Sequence, residues 1–369
     1  MSVVPEARKM STGLMRRALR RSSAQIRHVR PVPAGAAAGP VAAVYAQVER
    51  DFGMLAPPVV LHSPAAGPLA ACWVMLRETL LARGVADRAA KEVVAAGVSL
   101  GNACPYCVDV HSAVLRGLAH GAEADAIGGD RVDAMADPAL RDLAAWARSS
   151  GRRESILRRD PPFPIEQLPE FAGVVVTFQY LNRMVTVFCE DSPLPAVLPA
   201  PLAGGMMRVL GRFLRSTARG ALEPGASLDL LPEAPAPDDL GWAAGRQVIA
   251  DAFARAIAVI EAAGARAVND RVRDLVTSEL AGWSGQPAGL GRSWVDDALS
   301  RLTKDDRSGG RLALLIAFAP HQVGPQDIEE FRRGQRSDED LIGLAAWASL
   351  AAARRVGSWL APTQQARGG

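Results

Sequence analysis

The chain has 369 residues, 49% of them hydrophobic, long enough to bury one or two sizeable cores without covalent cross-links. Its four cysteines, Cys72, Cys104, Cys107 and Cys189, are too few and too unevenly spaced for a disulfide scaffold, which excludes the small secreted classes and points to a reducing, cytoplasmic setting. The formal net charge of +3 sits at one end, where residues 1–30 hold eight Lys/Arg against Glu6 alone, so the remainder is slightly acidic.

No apolar run reaches the length of a bilayer crossing, and the first residues lack the order of a signal peptide, so no membrane span is expected. Lysine occurs only at Lys9, Lys91 and Lys304 among 42 basic residues, a bias that fits a GC-rich bacterial coding sequence.

Residues 1–40 read as a basic arm and link. Within it "TGLMRRALRRSSAQIRHVR" can form a short helix with Leu14, Met15, Ala18 and Leu19 on one side. An arm lying on its own protein or on a neighbouring subunit explains this better than a nucleic-acid or lipid contact, and no nucleic-acid partner is expected.

After "RPVPAGAAAGP" the apolar residues recur at steps of three and four. This periodicity predicts helices near 41–52, 69–83, 87–100, 105–118, 138–149 and 170–188. The β-branched stretch "GVVVTF" tempts as a strand, but it runs on into "QYLNRMVTVF" and is easier to place on one long buried helix. Between Asp191 and Asp239 eight prolines mark a linker, 191–239. It carries a helix with Arg208, Arg212, Arg215 and Arg219 in one basic stripe, read as a solvated face packed across the junction.

The second half echoes the first. "DPALRDLAAWA" before the linker matches "DEDLIGLAAWA" after it, which implies duplication and gives Trp146 and Trp347 equivalent packing positions. An ungapped overlay then sets His321 at Cys104, Gly324 at Cys107 and Ile328 at His111, so the second copy has lost the thiols. The expected architecture is all-α: a first repeat at 41–190 and a degenerate one at 240–369.

The chemistry concentrates in "NACPYCVDVHSAVLRGL". Residues three and four apart share a helix face, so Cys104, Cys107 and His111 form one line of sulfur, sulfur and imidazole. Gly101 and Asn102 read as stop signals for the preceding helix, Cys104 as the cap of the next and Pro105 as its first residue. A helix start favours thiolate, so the cysteines are expected to be acidified. Val108, not histidine, follows the second cysteine, which excludes covalent haem.

Zinc remains an alternative, with Glu92, Asp109 or His120 as a fourth ligand, although no second CxxC exists; a purely structural thiol pair is another. Glu92, in apolar "KEVVAAGVSLGNAC", is the discriminating residue. On an antiparallel helix it can point at His111, where partial burial would raise its pKa and suit it to accept and return a proton. The bland reading is a surface glutamate beside Lys91 or Arg88. Cys72 and Cys189 read as core or boundary thiols, His28 and His62 as solvated, and Tyr106 as a packing residue. No phosphate loop or dinucleotide fingerprint occurs, and no metal or other cofactor is expected.

Glu92, Cys104, Cys107 and His111, in the pattern E-x11-C-x2-C-x3-H, resemble the active-site signature of the AhpD-like alkylhydroperoxidases within the carboxymuconolactone decarboxylase superfamily. "YLNRMVTVF" is similar to the long helix that follows the site in peroxidase-related members. The resemblance implies an all-helical AhpD-like bundle that assembles as a homo-oligomer. It also implies a two-cysteine peroxidase or disulfide oxidoreductase acting on a peroxide substrate. In that reading Cys107 attacks the peroxide and Cys104 condenses with it to a disulfide. His111 and Glu92 relay the proton, and a thiol or dithiol reductant restores the pair. The alternative from another class is a non-enzymatic, zinc-stabilised helical interaction module.

Overall fold

The computed structural model describes residues 25–155, 160–193, 205, 211 and 222–361. Among these no strand forms, and extended pairing is confined to two isolated bridges, Ile26 with Cys189 and Ala82 with Leu222. The basic helix expected before residue 25 and the arginine stripe from Arg208 to Arg219 lie outside the described residues.

The first half contains α1 (Gly39–Asp51), a single turn at Pro57–Val60, α2 (Ala66–Leu76), α3 (Arg88–Gly101), α4 (Pro105–Gly117), α5 (Gly121–Gly128), α6 (Pro138–Ser149) and α7 (Leu168–Phe188). The second contains α8 (Gln247–Ala267), α9 (Asp270–Gly282), α10 (Ser293–Leu299), α11 (Arg307–Phe318), α12 (Pro325–Arg332) and α13 (Asp338–Leu360). Every helix anticipated in the first half is present, and "GVVVTF" lies inside α7.

Local chemistry sets the boundaries. Asp87 caps α3 by accepting from the Ala90 amide at 2.9 Å, and Asp137 caps α6 by accepting from Ala139 at 2.9 Å. α3 ends at Gly101 with Asn102 as its C-cap, as the sequence suggested, and Gly101 is also a packing residue. A Cβ there would lie 2.3 Å from the Arg148 carbonyl oxygen, and one at Gly97 would lie 2.9 Å from that of Ala144. Two glycines four apart therefore let α6 press directly on α3. The turn itself is made by Ala103, at φ 51°, which sends the chain back into α4.

By length and mean hydropathy the stretch Ile165–Phe188 would suit a bilayer crossing, contrary to the expectation from sequence, but its most apolar window is 94% buried inside the fold. It is the central core helix. α7 packs along α13, α2 along α8, and side chains of both halves merge into one continuous apolar core.

The second half repeats the cap but not the site. Gly324 precedes Pro325 at the start of α12 as Cys104 precedes Pro105 at the start of α4. His321 lies in the 3-10 turn Pro320–Gln322, Gly324 caps α12, and Ile328 is buried on it. Asp327 caps its own helix through the Gly324 amide at 2.8 Å and pairs with Arg292 at 3.1 Å.

The described end of the arm forms a strap. Arg27 N donates to the Phe188 carbonyl at 2.7 Å and Glu190 N to that of Gln25 at 3.1 Å. Arg30 N donates to Asp338 at 2.8 Å, and Arg332 donates to the His28 carbonyl at 2.6 Å. The strap therefore joins the end of α7 to the second half.

Candidate active site

α3 and α4 are neighbouring helices joined by the tight turn at Asn102 and Ala103, which brings residue 92 back beside residue 111. His111 Nδ1 lies 2.6 Å from Glu92 Oε2. Glu92 is completely buried, and its other oxygen is held by Arg88, whose Nε donates at 2.7 Å. Lys91 turns away to Glu170, at 2.9 Å. Glu92 is therefore neither a surface residue nor a proton carrier with a raised pKa. Burial by itself would raise it, but the charges and hydrogen bonds of Arg88 and His111 outweigh that and hold the carboxyl below its usual range. A carboxylate fixed on Nδ1 orients the imidazole, leaving Nε2 to act on something else. The ring is further pinned edge-on against Phe178, centroids 4.6 Å apart.

The thiols sit where the sequence placed them, at the head of α4, and both are buried. The electrostatics of Cys107 differ from expectation. The Cys107 thiol is pushed well above its ordinary value, first by its hydrogen bond with Cys104 and then by burial, with the charges of Cys104 and Cys189 adding to this. Two sulfurs in contact share a proton, so ionising one disfavours ionising the other, and this outweighs the pull of the helix start. Acidification from helix position is overridden by tertiary surroundings. Cys72 and Cys189 are also buried thiols, raised by burial.

A cavity of about 80 Å³ opens onto this constellation. Cys107 and His111 line it together with Phe52, Met54, Val59, Leu76, Tyr106 and Phe178, and Gln25 of the strap and Pro193, just beyond α7, complete its wall. Cys104 does not line it. Tyr106 is buried, and burial followed by the charges of the three neighbouring thiols keeps its hydroxyl protonated. Among the described residues no three His, Cys, Asp or Glu side chains converge as a metal site.

Two histidines expected to be solvated are not. His62 is fully buried, its Nε2 accepting from the Tyr180 hydroxyl at 2.7 Å, and burial lowers its pKa to about 4. His28 is half-buried against Phe188. Asn182 of α7 was missed: from across the core its amide donates to Ser99 Oγ at 3.1 Å and accepts from Asn102 at 2.9 Å, tying α7 to the turn that carries the cysteines. The available signal was an amide in the otherwise apolar "QYLNRMV" helix, which has to find buried partners.

Residues 68–149 match the carboxymuconolactone decarboxylase family. Over 338 residues the chain is 35% identical to an alkyl hydroperoxide reductase of Mycobacterium tuberculosis, a match that covers 91% of this chain and 95% of that relative. Since the likeness runs through both halves and the helical fold agrees with it, the chain belongs to the AhpD-like, carboxymuconolactone decarboxylase superfamily.

Proposed function

We propose that the protein is a thiol-dependent peroxidase that reduces organic hydroperoxides through a dithiol and disulfide cycle of Cys107 and Cys104. The observation that carries this reading is the shared cavity: a sulfur and an imidazole line the same apolar space, a second sulfur sits at the cap of the same helix, and a charged carboxylate holds the imidazole's far nitrogen. The relative's name, alkyl hydroperoxide reductase, supports it.

Because the Cys107 proton is held tightly at rest, it has to leave as the peroxide is attacked, and His111 Nε2 is the base on the cavity wall. The Cys107 sulfur then bonds to the distal peroxide oxygen, the O–O bond breaks, and the proton passes from His111 to the departing alkoxide, releasing an alcohol. Cys104 sulfur attacks the Cys107 sulfenic acid, water leaves, and the disulfide forms. An external thiol or dithiol reduces it. Glu92 stays ionised throughout, holding the tautomer and balancing the transient imidazolium. Lactone decarboxylation has no use for the sulfur pair, and a zinc-stabilised interaction module lacks a converging ligand set among the described residues.

Mild treatment with an alkyl hydroperoxide should consume two thiols per chain and give a Cys104 to Cys107 cross-link by mass spectrometry. Cys107→Ser should abolish peroxide consumption, whereas Cys104→Ser should leave a sulfenic acid trappable with dimedone. Loss of neither thiol would end this reading. Homo-oligomeric assembly and a reducing, cytoplasmic setting accompany the proposal from the family likeness, and sedimentation velocity tests the first.

A further inference from the structure

A second cavity, of about 230 Å³, lies where the two halves meet and shares no lining residue with the one at Cys107. Glu78, Arg83, Lys91 and Glu170 of the first half line it, and Arg246 with the first residues of α8 closes it from the other side. The chemistry proposed for Cys107 uses none of these ionised groups.

The acceptors in it are all engaged. One oxygen of Glu170 takes the Val85 amide at 2.8 Å and Arg246 Nη2 at 2.6 Å, and the other takes the Ala86 amide at 3.2 Å and Lys91 Nζ at 2.9 Å. Glu78 accepts from Arg77, from the Gly225 and Ser227 amides and from the Ser227 hydroxyl. The donors are not all engaged. Lys91 is 2% exposed, and two of its three ammonium protons go to Glu170 and to the Ala82 carbonyl at 3.1 Å; the third has no acceptor among the described residues. Arg246 uses only Nη2, which leaves Nε and Nη1 without acceptors there. Arg83 approaches Glu223 only to 3.9 Å, too far for a hydrogen bond. Beside them α8 opens with no side-chain cap and no acid in its first turn.

We propose that this cavity binds a small oxyanion, a carboxylate or phosphate group whose oxygens are taken by Lys91, Arg246 and Arg83. Planar guanidinium forks match the paired oxygens of such a group, and three cations against two carboxylates on the wall leave a positive charge for it to balance. The Lys91 pKa is lowered first by burial, which Glu170 offsets only in part and to which the charges of Arg88 and Arg246 add; a bound anion relieves that cost. Because Arg83 and Lys91 belong to the first half and Arg246 to the second, the ligand fastens one half to the other. Neither cysteine takes part, so the inference is independent of the peroxidase reading.

The test is isothermal titration of the full chain with inorganic phosphate and, separately, with acetate, against sodium chloride at matched ionic strength. Saturable heat from phosphate assigns the cavity to phosphate groups, and saturable heat from acetate alone assigns it to carboxylates. With whichever anion binds, the melting temperature should rise as its concentration rises. Arg83→Gln should weaken the binding about tenfold, and Arg246→Gln at least as much. The second substitution also releases Glu170, so Arg83→Gln, at a side chain 66% exposed, serves if Arg246→Gln does not fold. No saturable heat from either anion, or an affinity unmoved in the folded variants, would overturn the inference.

Discussion

Glu92 illustrates how one carboxylate stays charged in an apolar bundle: it has two partners, one permanent cation and one imidazole, on its two oxygens. Glu92→Gln removes the charge that balances His111 and leaves Arg88 facing a neutral amide. We expect a folded protein destabilised by about 3 kcal/mol in chemical denaturation, with peroxide consumption down by about two orders of magnitude in a coupled assay. His62 supplies a pH signature away from the site. Its folded-state pKa of about 4 lies below the ordinary 6.5, so the fold prefers the neutral ring and the unfolded chain takes up the proton first. Its contribution to stability is therefore present above 6.5 and is lost as pH falls through about 4. The loss is about 3 kcal/mol. His62→Gln should flatten the fall of melting temperature over that window, and an unchanged slope would refute the assignment.

The element that delivers the site is the α3 to α4 hairpin, and the quality of its delivery depends on how closely α6 supports α3. Gly101→Ala would push a methyl into the Arg148 carbonyl, 2.3 Å away, forcing the helices apart at the turn that carries the cysteines. A cost of about 2 kcal/mol by thermal unfolding is expected, together with slower disulfide closure, because the turn and not the helix interior absorbs the shift. This hairpin was legible in the sequence because everything in it is local: Cys104, Cys107 and His111 recur at helical steps, and Glu92 faces them because the connection is so short. Asn182 escaped the same reading because its contacts to Asn102 and Ser99 cross 80 and 83 residues of chain. No periodicity encodes where α7 will cross the turn. The thiol's reluctance to ionise escaped for a related reason, being set by a neighbouring sulfur and by burial and not by position on the helix.

Over the whole molecule, the second half acts as a scaffold for the first. α13 backs α7, and α8 backs α2. The AAWA run recurs within α6 and within α13, and Trp146 and Trp347 are both buried, as the sequence suggested for a shared packing role. The strap links both halves to the cavity wall through Gln25, Arg30 and Arg332. Deleting residues 1–30 should leave the helical content by circular dichroism nearly unchanged and increase the rate at which a bulky maleimide labels Cys107. Equal labelling would show that the strap does not restrict entry.

The strap also fixes an order of events during synthesis. Arg30 leaves the ribosome 308 residues ahead of Asp338, its anchor. A nascent chain that has already folded its sulfur-bearing hairpin still lacks that fastening of the cavity wall. A chain stopped short of Asp338 would therefore carry Cys107 behind an unfastened door, closed only once that anchor has been made.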